Sequence, residues 1–153
     1  NSPDESGRPH LWGHIQEAVL ADASVALGKN GLRAVAVSSA TAVFVEAIES
    51  GFDLPHIHSY DVQSAVFVMD RLGAATGRRQ YLELAQKAKS WFDGRNPAGA
   101  VVFDRTTGRV ADGIDNATLN DRSGAESTIS AGLALLDDPL VLSTARSWTD
   151  GSW

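Results

Sequence analysis

The chain has no cysteine. That excludes disulfides, zinc fingers, iron–sulfur clusters and thiol nucleophiles, although it does not fix the compartment. It also lacks clustered basic residues. With a net charge of -6 and scattered arginines, it offers no stripe to neutralise phosphates, so nucleic acid is not an expected partner. An acidic surface likewise disfavours an anionic membrane. No His-Glu-x-x-His, Gly-x-Ser-x-Gly, Gly-x-Gly-x-x-Gly or phosphate loop occurs, which removes the familiar signatures of zinc proteases, serine hydrolases and nucleotide binding. No cofactor is expected. The most apolar run, Ala34 to Val45, is broken by Ser38, Ser39 and Thr41. A membrane span needs roughly 20 apolar residues, so this run predicts a soluble helix buried on most sides, and no membrane partner.

With 153 residues and 43% hydrophobic composition, one domain with its own core is expected. The opening stretch, Asn1 to Pro9, is polar and carries two prolines and a glycine. It predicts a disordered segment of the kind that follows a signal peptide or a domain boundary. Residues 10–153 then read as a single helical domain. Helices are expected over His10 to Leu27 and Leu32 to Glu49, with a third that starts after Ser59 and is ended by Gly77, a fourth over Arg78 to Phe92, and glycine-containing breaks between them. Ser59 is the expected cap of the third, and the Pro55 segment before it reads as a loop. Val62, Ala65, Val66, Met69 and Leu72 form its core stripe, and Tyr81, Leu84, Ala85, Ala88 and Trp91 form that of the fourth. Val101–Phe103 and Arg109–Ala111 flank a Thr107-Gly108 turn and predict a short β-hairpin. A helix over about Gly124 to Leu136 follows, and Pro139 to Ser147 could add another. The expected class is all-α, in stacked antiparallel hairpins, with one small β-hairpin.

The candidate chemistry gathers between Trp91 and Leu136. A long polar excursion inside a helical domain usually carries function. Ser123-x-x-Glu126 before an apolar run is a capping box, and the same Glu126 could also face a ligand. Asp93, Asp104, Asp112, Asp115, Asp121 and Glu126 supply carboxylates. Glycoside hydrolysis needs two of these across a sugar ring, one protonated and one ionised. Any one of them could equally be a turn residue. Arg95 and Asn96 offer a planar fork and an amide for sugar hydroxyls. Gly94 and Pro97 beside them are also plain helix-stop chemistry, and Trp91 fits the core. His10 and His14 share a helix face, and His56 and His58 lie near Pro55. A metal site needs three or more ligands, so none is expected.

The segments WFDGRNPAG, VFDRTTGRVADGI and NDRSGAESTISAGLALL resemble the last helical hairpin of bacterial α/α toroid proteins of carbohydrate metabolism. Gly124-Ala125-Glu126-Ser127-Thr128 is the most specific piece. The resemblance implies part of an α/α toroid and a glycoside hydrolase-like, carbohydrate-active domain that hydrolyses or binds an oligo- or polysaccharide. It implies Glu126 and Asp112 as the acid/base pair. Arg95, Asn96, Asn120 and Arg122 match its polar positions and would orient sugar hydroxyls at the open end, and Asp115 is added to them as a further expected substrate-binding residue. A complete toroid holds more helices than this chain supplies. The alternative is therefore a non-catalytic glycan-binding or assembly module, which self-associates or docks on a missing half. A secreted or cell-surface setting fits the polar N-terminal segment.

Overall fold

The computed structural model describes Leu11 and residues 13–136. The chain is mostly helical, with a small three-stranded antiparallel sheet. Helix α1 (Gln16–Ala26) is followed by α2 (Asn30–Ala40). A π-helical turn at Thr41–Val45 carries α2 without a break into α3 (Glu46–Glu49). Strand β1 (His56–His58) leads directly into the long α4 (Ser59–Thr76). Helix α5 (Arg79–Lys89) ends in a 3₁₀ turn at Ser90–Asp93, and β2 (Gly113–Asp115), β3 (Thr118–Asn120) and α6 (Ala125–Leu135) complete the described order.

Helix α4 is the axis of the molecule. Its predicted stripe is buried, and so are Ser64, Val68 and Ala75 on other faces. It needs this all-round apolar surface because α1, α5 and α6 all pack on it. Gly73 brings α5 close: a side chain there would begin 2.3 Å from Leu82 Cδ2. Helix α5 is amphipathic as predicted, with Tyr81, Ala85 and Ala88 inward and Leu84 half-buried. Trp91 and Phe92 are fully buried and meet edge to face, their ring centroids 5.2 Å apart. Trp91 is therefore a core residue.

Four sequence expectations change. First, the apolar run at 34–45 is not buried on most sides. Ala36, Ala40 and Phe44 face inward, but Val35 is 56% exposed. The run also sits in a longer helix, Asn30–Glu49, of mean hydropathy 1.5 and 28% buried, which by length and composition alone could cross a membrane. Small inward residues allow α1 to approach closely, and nothing among the described residues covers the outer side. Second, the regular strands lie elsewhere. The expected flanks at 101–111 do pair antiparallel, through the bridge Phe103 to Val110 and the bonds Asp104 N–H to the Arg109 carbonyl and Ala111 N–H to the Val102 carbonyl. They surround a turn held by Asp104, but they are too short to form strands. The hairpin with regular strands is β2–β3, closed by Asn116 and Ala117 at φ 47 and 57. Such a two-residue turn with both central residues left-handed matches strand twist. Third, the Pro55 segment is not all loop, since His56–His58 pairs with β2.

Fourth, both predicted serine caps are misplaced. His58, not Ser59, caps α4, and its N–H donates to Asp61 Oδ2 at 3.0 Å. Ser59 instead donates its hydroxyl to the Ala111 carbonyl at 3.1 Å. Gly124, not Ser123, caps α6. Glu126 thus falls at the second helical position rather than the third, and the capping box is not formed. The expectations for 1–9 and Pro139 to Ser147 lie outside the described residues.

Candidate functional site

The sheet has two unlike faces. Residues alternate along a strand, so Ile57 and Ile114 point into the core, fully buried, with Leu119 beside them. The register pairs His56 with Asp115, His58 with Gly113, Gly113 with Asn120 and Asp115 with Thr118. These six residues therefore share the opposite face, which is polar and reaches solvent. Glycine is required at 113, because a Cβ would sit 2.1 Å from the Ile57 carbonyl oxygen.

Asp115 is the centre of that face. Its Oδ1 lies 2.8 Å from His56 Nδ1, and Asn120 Nδ2 donates to its Oδ2 at 3.0 Å. The His56 hydrogen bond is the main reason the Asp115 carboxyl titrates below its ordinary range. An ionised carboxylate only accepts, so His56 Nδ1 is the donor. Next along β1, the His58 ring stacks on Tyr60, 4.8 Å between centroids and 9° from parallel.

Asp112 stands one residue before β2 and does a different job. Its Oδ1 accepts from Ser127 Oγ and from the Gly124 N–H, both at 2.7 Å. These bonds, the Ser127 one foremost, hold its carboxyl below the usual range despite partial burial. It caps α6 from a distant point in the chain and meets the positive end of the helix. Its backbone is tied as well: its N–H donates to the Arg122 carbonyl at 2.8 Å, and its carbonyl accepts from Ser59 N–H at 3.1 Å. Because Asp112 takes over the capping, Glu126 is left exposed on the first turn of α6. The Tyr60 phenol senses the whole group. Burial raises its pKa first, followed by the charges of Asp61, Glu126 and Asp112.

The sequence-predicted residues thus divide. Asp112, Glu126 and Arg122 gather at the α6 start around Tyr60, and Asp115 and Asn120 gather on the adjoining sheet face. Arg95 and Asn96 belong to a separate loop. Asn96 Nδ2 donates to the carbonyls of Trp91 (2.7 Å) and Ala100 (2.8 Å), and its Oδ1 accepts from Ala100 N–H at 3.3 Å. Its amide is occupied in holding the loop that follows α5. Arg95 is exposed and lines an open cleft of about 450 Å³ with Ser50, Asp53, Pro97 and Ala117. Ala117 sits at the tip of the β2–β3 turn, so the cleft adjoins the sheet. The remaining carboxylates are local. Asp104 is held ionised chiefly by Thr107, and Asp93 pairs with Arg105 at 2.9 Å.

His56, His58 and Tyr60 were not among the residues the sequence singled out for binding sugar. The signal was present in the alternation His-Ile-His, a strand pattern with one apolar side. Among the described residues no group of three or more His, Asp or Glu could hold a metal ion. His14 lies apart, edge-on to Phe44 before α1.

Chemically, the sheet face offers a fixed acceptor, an imidazole whose outer nitrogen is free to face a ligand, an amide and an aromatic pair. The chain matches no known protein-family model, and no curated protein matches it.

Proposed function

We propose that this chain is a carbohydrate-active domain of the α/α toroid type, with the polar sheet face as its sugar-binding surface. The observation that carries this reading is Asp115, held on both oxygens by His56 and Asn120 yet open to solvent. A preorganised acceptor flanked by donors suits vicinal hydroxyls, and the His58–Tyr60 stack beside it gives a sugar ring a flat apolar neighbour. In a hydrolytic version Glu126 is the proton-donating carboxyl. Asp112 is the ionised one, which also fixes the helix that carries Glu126. Arg122 and the Arg95 cleft extend the surface on either side.

Assembly into a larger toroid is the second reading, and the outer face of α2 favours it. Val35 is more than half exposed there, as are Val19 and Val25 on α1. An apolar surface of this kind marks a docking face.

A thermal-shift titration with a panel of neutral and uronic oligosaccharides tests the first reading. A ligand that binds only the native state adds about 2.7 kcal/mol of stability at a hundredfold excess over its dissociation constant. Asp115→Asn should abolish the shift, while Glu126→Gln should keep it and lose any turnover. A folded protein that responds to no sugar sinks the carbohydrate reading, and light scattering then tests assembly.

A further inference from the structure

The far end of α4 holds a second site of opposite character. A cavity of about 490 Å³ lies among Asn30, Arg33, Ser38, Thr76 and Arg78, with Ala34 and Val37 as its apolar wall. No carboxylate lines it, although the chain carries a net charge of -6. Elsewhere Arg71, Arg79, Lys87, Lys89 and Arg105 each meet an Asp or Glu, and the remaining unpaired cations among the described residues, Lys29, Arg95, Arg109 and Arg122, do not share a cavity with a second arginine. Arg33 and Arg78 meet no Asp or Glu among the described residues. Arg33 is nonetheless fixed in place, donating Nη1 to the Ala75 carbonyl at 3.1 Å and Nη2 to Asn30 Oδ1. Its charge is oriented but not neutralised.

Two helices also begin here. Neither α2 nor α5 has an acidic residue in its first turn or a side-chain cap on its N-terminal N–H groups. Both therefore add partial positive charge to the same cavity, set against the C-terminal carbonyls of α4, of which Ala75's is covered by Arg33. Open space surrounds the position where a Gly31 side chain would begin, so the α2 terminus is accessible.

We propose that this cavity binds a tetrahedral oxyanion, the phosphate or sulfate group of an ester whose organic part rests on Ala34 and Val37. Arg78 would grip the anion in fork geometry and Arg33 would add its remaining N–H groups, with Ser38 donating its hydroxyl; the Thr76 hydroxyl is already given to the Leu72 carbonyl at 2.6 Å. The cavity is larger than one phosphate needs, and its apolar wall suits the remainder of an ester. Helix α4 spans about 27 Å at ~1.5 Å per residue, so this site stands apart from the sheet face and does not rest on the carbohydrate reading.

The test is an amide NMR titration of the full chain with inorganic phosphate, inorganic sulfate and phenyl phosphate, each against chloride at equal ionic strength. Saturable shifts at Gly31, Arg79 and Gln80 are expected, with phenyl phosphate binding tightest. The Arg78 side chain is exposed and makes no hydrogen bond or ion pair among the described residues, and its backbone bonds survive substitution. Arg78→Gln should therefore fold normally and weaken binding about tenfold, the factor that one charge-assisted contact represents. Equal affinity for phosphate and sulfate would identify a general dianion site. Shifts that do not saturate, that chloride reproduces, or that survive Arg78→Gln unchanged overturn the proposal.

Discussion

The polar excursion between α5 and α6 and the α1–α2 hairpin treat their polar groups in opposite ways. In the excursion three of the carboxylates and amides are tied into the fold: Asp112 caps α6, Asn96 closes its own loop, and Asp115 is held at both oxygens. In the hairpin, Glu17 is 1% exposed, yet only one of its oxygens is bonded. Ser39 Oγ donates to Oε1 at 2.7 Å, while Oε2 has no partner. The same hairpin shows valines to solvent. The contrast teaches that polar density in a sequence marks a region and not which of its side chains stay available to a ligand. Several of the excursion's polar groups are consumed by the fold, and the surfaces left unmatched are the sheet face, the arginine cavity and the outer side of α2.

The strongest way to break the contrast is Gly113→Ala. The added methyl meets backbone, which cannot rotate away, so β1 and β2 must separate. A loss of about 3 kcal/mol is expected by chemical denaturation, with the polar face dispersed. Asp112→Ala should cost about 2 kcal/mol, since it removes a charged cap and leaves the Ser127 hydroxyl and Gly124 N–H unpaired. Asp115→Ala, on the exposed face, should cost less than about 1 kcal/mol. Equal losses for the two would mean that Asp115 is structural too.

Acid sharpens the same comparison. The folded-state carboxyls of Asp112 and Asp115 are both lowered. Each therefore contributes stability that is present above its unfolded value and is lost as pH falls through its folded one. The thermal midpoint should fall on acidification below the ordinary aspartate range, and Asp112→Asn should flatten that fall. The smallest effect is expected in the hairpin. Val35→Ser changes an exposed position and should shift stability by less than about 0.5 kcal/mol. If it also removes self-association seen by light scattering, the α2 face is an interface.

The amphipathic helices were legible because their periods are strong: the stripes on α4 and α5 are buried nearly residue for residue. The sheet was harder. Its strands are three residues long, too short for alternation to stand out, and β1 pairs with a segment more than fifty positions away. Asp112 was legible as a candidate but not in its role, because Gly124 and Ser127 reach it only after β2 has docked on β1. Arg33 and Arg78 were not singled out as binding residues in the sequence, where the scattered arginines read only as the lack of a phosphate-neutralising stripe.

By itself, the sequence determined the helical class, the inward stripes, the Gly94 stop and the core place of Trp91, all of which follow from spacing along one chain. Tertiary structure alone decided which carboxylate caps α6, which histidines join Asp115 and which arginines stay unpaired. Those outcomes depend on distances between residues far apart in the chain, and hydrogen bonds and charges act over a few ångströms of space whatever the separation in sequence.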